Sequence, residues 1–177
     1  RFALMNLEGY TPGAVGEDEL LVEDRWVLSR LATVTEQVTE CLARYQYADA
    51  ARALYEFAWD EFCSFYVEMV KSRLQDAGKK AVAQRVLAHT LDTLLRLLHP
   101  MIPFLTEEVW QLLAQVAPER GVDRPCAAAE SIIIAPWPES VGATAGLPSR
   151  AGLTAGQARS GTRRDPQIEA QFARFQE

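Results

Sequence analysis

From residue 23 to residue 116 apolar side chains return at alternating intervals of three and four, the repeat of one face of an α-helix. The pattern predicts a first helix from about Glu23 or Asp24 to Tyr45, with Val27, Leu31, Val34, Val38, Cys41 or Leu42, and Tyr45 turned inward. Its acidic first turn offsets the positive end of the helix dipole. After a turn at Gln46 to Asp49, a second helix is predicted from about Ala48 to Leu74, closed by Asp76-Ala77-Gly78. Within it, LYEFAWDEFCSFYVEMVK (Leu54 to Lys71) puts Leu54, Ala58, Phe62, Phe65 and Met69 on one stripe. Tyr55, Trp59 and Tyr66 widen that stripe past half the circumference, which predicts a central helix packed on several sides. A third helix from about Lys79 to Leu98 aligns Val82, Val86 or Leu87, Leu91, Leu94 and Leu98. Pro100 and Pro103 impose an extended corner. Thr106 is the predicted N-cap of a fourth helix, with Val109, Trp110, Leu113 and Val116 facing inward and Pro118 closing it.

Four helices on short turns predict a mainly α fold, an antiparallel up-down helical bundle over residues 21–118 with a short C-terminal extended segment. Residues 1–20 read as the end of a connecting helix and a loop. Residues 119–140 read as an extended segment packing back on the bundle, with Ser131 to Ala135 as a short strand. An Ala/Gly/Ser/Thr-rich linker over 141–163 follows. Ile168, Phe172 and Phe175 then resume helical spacing, so 164–177 is expected to start a further helix leading to a C-terminal region.

A chain of 177 residues with net charge −6 is no generically basic nucleic-acid binder, so any such contact must come from a local patch. Cys41, Cys63 and Cys126 are scattered, with no CxxC pair, which predicts reduced thiols and a cytoplasmic protein. No apolar run approaches the roughly 18–20 residues that span a bilayer, and no signal peptide is present, so no membrane partner is expected. The chain opens in mid-pattern at RFALMNL, as a piece of a longer protein would.

Catalytic constellations are missing. Val86 and Arg96 stand three residues before His89 and His99 where a di-iron bundle needs Glu, and neither His lies near a Cys at zinc-ligand spacing. His99, beside Pro100, reads as a helix-ending residue bonded to backbone. There is no Gly-rich phosphate loop and no GxSxG. Basic residues are distributed more tellingly. In an up-down-up arrangement the start of the first helix, the end of the second and the start of the third share one end of the bundle. That end collects Arg25, Arg30, Lys71, Arg73, Lys79, Lys80 and Arg85, with Trp26, Phe65 and Tyr66 close by. Cations attract phosphates and aromatic faces stack on unpaired bases, a platform for a single-stranded RNA loop.

DRWVLSRL (Asp24 to Leu31), the Tyr47-to-Lys71 block and LLHPMIPFLTEEVW (Leu97 to Trp110) resemble the anticodon-binding domain of class I aminoacyl-tRNA synthetases, and SIIIAPWP (Ser131 to Pro138) fits the same pattern. The YEFxWxxFCxxYxExxK spacing is most similar to the valyl branch, with an isoleucyl or leucyl relative as the alternative. The resemblance implies a ligase whose ATP and Mg sit elsewhere, since the HIGH-type and KMSKS-type motifs and the editing domain are absent here. It implies no cofactor or metal on this segment, a monomer, and two partners: valine-accepting tRNA and the catalytic domain of the same chain. Joined to the geometry of the helix ends, it implies phosphate contacts from Arg25, Lys71, Arg73, Lys79 and Lys80. Arg1, Asn6 and Trp26 would then lie nearest the bases, together with Tyr66. Two rivals belong to other classes: a protein-interaction bundle with no RNA role, and a free-standing helical enzyme.

Overall fold

The computed structural model describes residues 1–139 and 164–173. In chain order they form α1 (Phe2–Asn6), α2 (Val22–Ala43) and one long helix from Tyr47 to Leu74. Beyond these lie α5 (Lys80–Leu98), α6 (Pro103–Val116) and α7 (Pro166–Ala173). The long helix has three parts: α3 (Tyr47–Glu56), a π-helical stretch (Phe57–Tyr66) and α4 (Val67–Leu74). The described residues are a mainly α bundle, and no helix among them is long and apolar enough to cross a membrane. The predicted linker over 141–163 and Phe175 lie outside the described residues.

α2 follows its predicted stripe, with Val27, Leu31, Val34 and Val38 all buried. Its C-terminus departs from prediction at Tyr45, which does not face the core. The Gln46 N–H donates to the Cys41 carbonyl at 2.8 Å and the Tyr45 N–H to that of Leu42 at 3.1 Å, the paired bonds of a Schellman cap. Such a cap needs a left-handed residue, and Tyr45 takes that conformation at φ 60°. Its side chain is 78% exposed, in edge contact with Tyr47.

The long helix runs where predicted, but not with one pitch. Over Phe57–Tyr66 the backbone bonds are of the i→i+5 type, which shifts the inward face. Between Leu54 and Lys71 the buried positions are Leu54, Phe57, Phe62, Tyr66 and Val70, while Ala58, Phe65 and Met69 are only half-buried. Tyr55 and Trp59 fall outside the core, stacked on each other with ring centroids 6.4 Å apart. This helix is therefore packed on one broad side rather than all round. α5 holds the central place. Its Val86, Leu87, Leu94 and Leu97 face the core built with α2 and the long helix. Its Ala88 and Leu95 face a second core with Leu7, Trp110, Leu113, Ala117 and Ile132.

Two further expectations change. α6 starts at Pro103, a residue whose fixed φ suits the first helical position, and Thr106 lies buried inside the helix. The Thr106 hydroxyl reaches the Ile102 carbonyl at 3.0 Å and lies 2.8 Å from Nδ1 of His99, so His99 bonds a side chain as well as ending α5. Ser131 to Ala135 is not a strand, because no neighbouring strand among the described residues offers it a ladder. Instead Ile132–Ile134 forms a 3₁₀ turn, held to α6 by Glu107, whose Oε2 accepts from the Ser131 hydroxyl at 2.8 Å and the Ile132 N–H at 3.1 Å. The strand pair lies earlier, β1 (Glu119–Arg120) antiparallel to β2 (Cys126–Ala127). Gly121 between them has φ 144°, and a Cβ there would stand 2.5 Å from the Arg124 carbonyl oxygen, so only glycine fits.

His89 is buried on α5, and its pKa is lowered to about 4. Burial disfavours the imidazolium and Arg96 adds to that, while Asp92 opposes both. The unfolded chain therefore binds a proton near pH 6.5 that the folded protein refuses until about pH 4. Stability should fall as pH drops through that window, by about 3 kcal/mol at most. His89→Asn should flatten the change in melting temperature between pH 7 and pH 5. An unchanged slope would show that another group titrates.

Candidate nucleic-acid interface

Two of the three helix ends predicted to meet, the start of α2 and the end of α4, are joined by a buried carboxylate, and the short turn after α4 leads straight into the third, the start of α5. Asp24 sits in the first turn of α2, completely buried. Its Oδ2 accepts the Leu21 N–H at 3.1 Å, which caps the helix. Its Oδ1 accepts from Nη1 of Arg73 on α4 at 2.8 Å and from the Tyr66 hydroxyl at 3.2 Å. Nη1 of Arg73 also pairs with Glu23 at 3.0 Å. α4 is thereby locked beside the start of α2. α1 joins through Gln84 of α5, whose amide donates to the carbonyls of Asn6 at 2.7 Å and Glu8 at 3.1 Å. Lys71 Nζ stands 5.8 Å over the Phe2 ring, a cation–π contact between α4 and α1. Arg85 holds the following loop through the Thr11 and Ala14 carbonyls at 3.1 and 3.4 Å.

The named residues divide into two groups. Arg1, Arg25, Lys71 and Lys79 are exposed, while Asn6 and Lys80 are half-exposed. Arg25 donates to the Glu17 carbonyl at 2.7 Å, Lys71 pairs with Glu68 on its own helix, and the Asn6 amide donates to the Phe2 carbonyl at 2.9 Å. Trp26, Tyr66 and Arg73 are not presented to a ligand. Trp26 is 2% exposed, stacked on Phe172 and met edge-on by Phe65, each centroid 5.2 Å away. Tyr66 is fully buried, and its hydroxyl pKa stands well above the ordinary value because of burial, reinforced by the Asp24 charge. Arg73 is consumed by Glu23 and Asp24. Arg30 likewise turns inward, pairing with Glu61 at 2.7 Å and Glu169 at 3.1 Å. Spacing on single helices could not expose these roles, since each partner comes from a distant element.

What remains at the surface is an open end carrying Arg1, Arg25, Lys71, Lys79 and Lys80 around half-exposed Phe2 and Asn6, with Glu17, Glu68 and Asp76 among them. These cations can neutralise phosphates. Among the described residues no group of His, Cys, Asp and Glu could hold a metal ion. The fold and this end together define a helical bundle module with a frame of buried ion pairs and one cation-bearing tip. Residues 24–164 match the family model described as the anticodon-binding domain of tRNA ligase, and the chain belongs to that family. It is 46% identical over its whole length to a valine–tRNA ligase of Rhodopirellula baltica. It is also 48% identical, over 78% of its length, to that of Carboxydothermus hydrogenoformans, and 52% identical, over 65% of its length, to that of Gloeobacter violaceus. The chain spans 15% of the length of the first two relatives and 13% of the third.

Removing Arg73 leaves Asp24 charged, buried and short of its main partner. Arg73→Ala should therefore lower the unfolding free energy by about 3–5 kcal/mol in urea denaturation. A loss below about 1 kcal/mol, the range of an exposed pair, would show that the pair does not organise this end.

Proposed function

We propose that this chain grips the anticodon stem-loop of a valine-accepting tRNA as part of a valine–tRNA ligase. The observation that carries the proposal is the convergence of α1, α2, α4 and α5 at one end, where Arg1, Arg25, Lys71, Lys79 and Lys80 stay at the surface while neighbouring Arg73 and Arg30 are spent on internal pairs. Membership of the anticodon-binding family and likeness to proteins named valine–tRNA ligase support it. Arg25, Lys71, Lys79 and Lys80 hold phosphates, and Arg1 and Asn6 lie nearest the bases. Trp26, Tyr66 and Arg73 serve as the frame behind them. A wrong base would leave a polar group of the site unpaired, which is how such a surface discriminates.

In the whole enzyme ATP and Mg would act at a separate site, activating valine before its transfer to the 3′ end of the tRNA. This bundle positions the tRNA for that step. The enzyme works as a cytoplasmic monomer on this reading, with the catalytic domain of the same chain as its other partner.

Charge reversal tests the placement. In the full-length protein, Lys71→Glu with Lys80→Glu should raise the Kd for tRNA about tenfold, since two charges near a phosphate backbone are worth on the order of 1–2 kcal/mol. Valine-dependent ATP–pyrophosphate exchange should not change. Arg44→Glu, on the exposed Glu40 pair at the other end of α2, should leave both unchanged. Unaltered tRNA affinity in the double variant would refute the placement. Wild-type affinity should also fall steeply as salt rises, as phosphate contacts require and apolar docking does not.

A further inference from the structure

α7 is more than the start of a further helix. Its Asp165 caps it, Oδ1 accepting the Gln167 and Ile168 N–H groups at 3.1 and 3.3 Å. It lies on α2 through a carboxylate that accepts from three donors. Glu169 Oε1 receives the Ser29 hydroxyl at 2.5 Å and the Thr33 hydroxyl at 3.0 Å, and Oε2 receives Nη1 of Arg30 at 3.1 Å. Ser29 also accepts the Asp165 N–H at 2.6 Å. Arg30 uses its other edge on Glu61 of the π-helical stretch, so one guanidinium ties α7, α2 and the long helix together. Burial opposes ionisation of Glu169, but the hydrogen bonds from Ser29, Thr33 and Arg30 outweigh it and hold its carboxyl below the ordinary range.

The latch fixes rotation as well as position. Glu169 and Phe172 are three residues apart, on one face of α7. With Glu169 seated over Ser29 and Thr33, Phe172 falls on Trp26, stacked at 26° between ring planes, and meets Phe65 edge-on at 6.0 Å. α7 therefore meets α2 from the level of Ser29 and Thr33, where Asp165 and Glu169 bond, to that of Trp26, where Phe172 stacks. Trp26 adjoins Arg25, whose guanidinium makes one hydrogen bond among the described residues, to the Glu17 carbonyl. The first turn of α2 is thus clamped on two sides, by Arg73 through Asp24 and by α7 through Trp26.

We propose that Glu169 and Phe172 are positioning residues for the RNA-facing end, acting through Trp26 to hold Arg25 in place. The proposal rests on the functional reading above and deepens it by adding a segment remote in sequence to the machinery that presents the cations. Removing the latch frees one face of the Trp26 ring and lets the first turn of α2 fray, so Arg25 meets a phosphate from many geometries instead of one.

A double-mutant cycle in the full-length protein, read as affinity for deacylated valine-accepting tRNA, tests this. Arg25→Ala should weaken binding about tenfold and Glu169→Gln about fivefold, while the double variant should bind within about twofold of Arg25→Ala alone. Phe172→Ala should show the same non-additivity, and amide exchange of Val22 to Trp26 should accelerate in both latch variants. A latch that served only general stability would give effects that add to that of Arg25→Ala. Additivity, or unchanged affinity on Glu169→Gln, overturns the proposal while leaving the functional reading intact so long as Arg25→Ala weakens binding. If neither Arg25→Ala nor reversal of Lys71 and Lys80 changes affinity, the functional reading fails and the proposal with it.

Discussion

The organisation of this protein depends on one carboxylate taken out of water. Asp24 is fully buried, and a bare charge there would be prohibitive in an apolar interior. It is tolerated because the Leu21 N–H, the Arg73 guanidinium and the Tyr66 hydroxyl all point at it. Those three donors come from the loop before α2, from α4 and from the end of the π-helical stretch. Satisfying all three at once ties the start of α2 to α4 and to the π-helical stretch. The neighbours of the Asp24–Arg73 pair inherit that geometry. Arg25 follows Asp24 directly, and Lys71 lies two residues before Arg73, so a buried ion pair sets where two surface cations stand.

A second network does similar work on the far side of α5. Arg120 is buried, with Nε bonded to Asp92 at 2.7 Å and its guanidinium 4.3 Å from the Trp110 ring. Arg96 pairs with the other oxygen of Asp92 at 2.6 Å. α5 thus carries an apolar face to each core and a polar anchor to the β1–β2 hairpin. The short strand pair, which adds little core of its own, is thereby fastened to α5.

Helical spacing revealed most of the bundle because each helix buries a face of its own, and a face repeats along the chain. The stripe Val27, Leu31, Val34, Val38 could be read off directly. Spacing misled where geometry departs from 3.6 residues per turn. Over Phe57–Tyr66 the i→i+5 bonding shifts the inward face so that Trp59 lies outside it, and at Tyr45 a left-handed cap turns the ring outward. The basic end was legible in outline, since charges near helix termini gather wherever the termini gather. Which cations stay free was not. Arg73 and Lys71 look alike in sequence, and only a partner on α2 decides that one is buried. Helix-end geometry joined to the resemblance points Trp26 at the bases, yet its ring is taken by Phe65 and by Phe172, which arrives from the other end of the chain.

On the proposed reading one end of the bundle, and not its sides or its opposite end, faces the tRNA. Amide hydrogen exchange of the full-length protein with and without an RNA hairpin spanning the anticodon stem-loop addresses it most directly. Added protection is expected over Arg1 to Asn6, Val22 to Trp26 and Lys71 to Lys80, with the Arg44 to Asp49 turn and α6 unaffected. Protection centred on that turn or on α6, with none at the three converging helix ends, would contradict it.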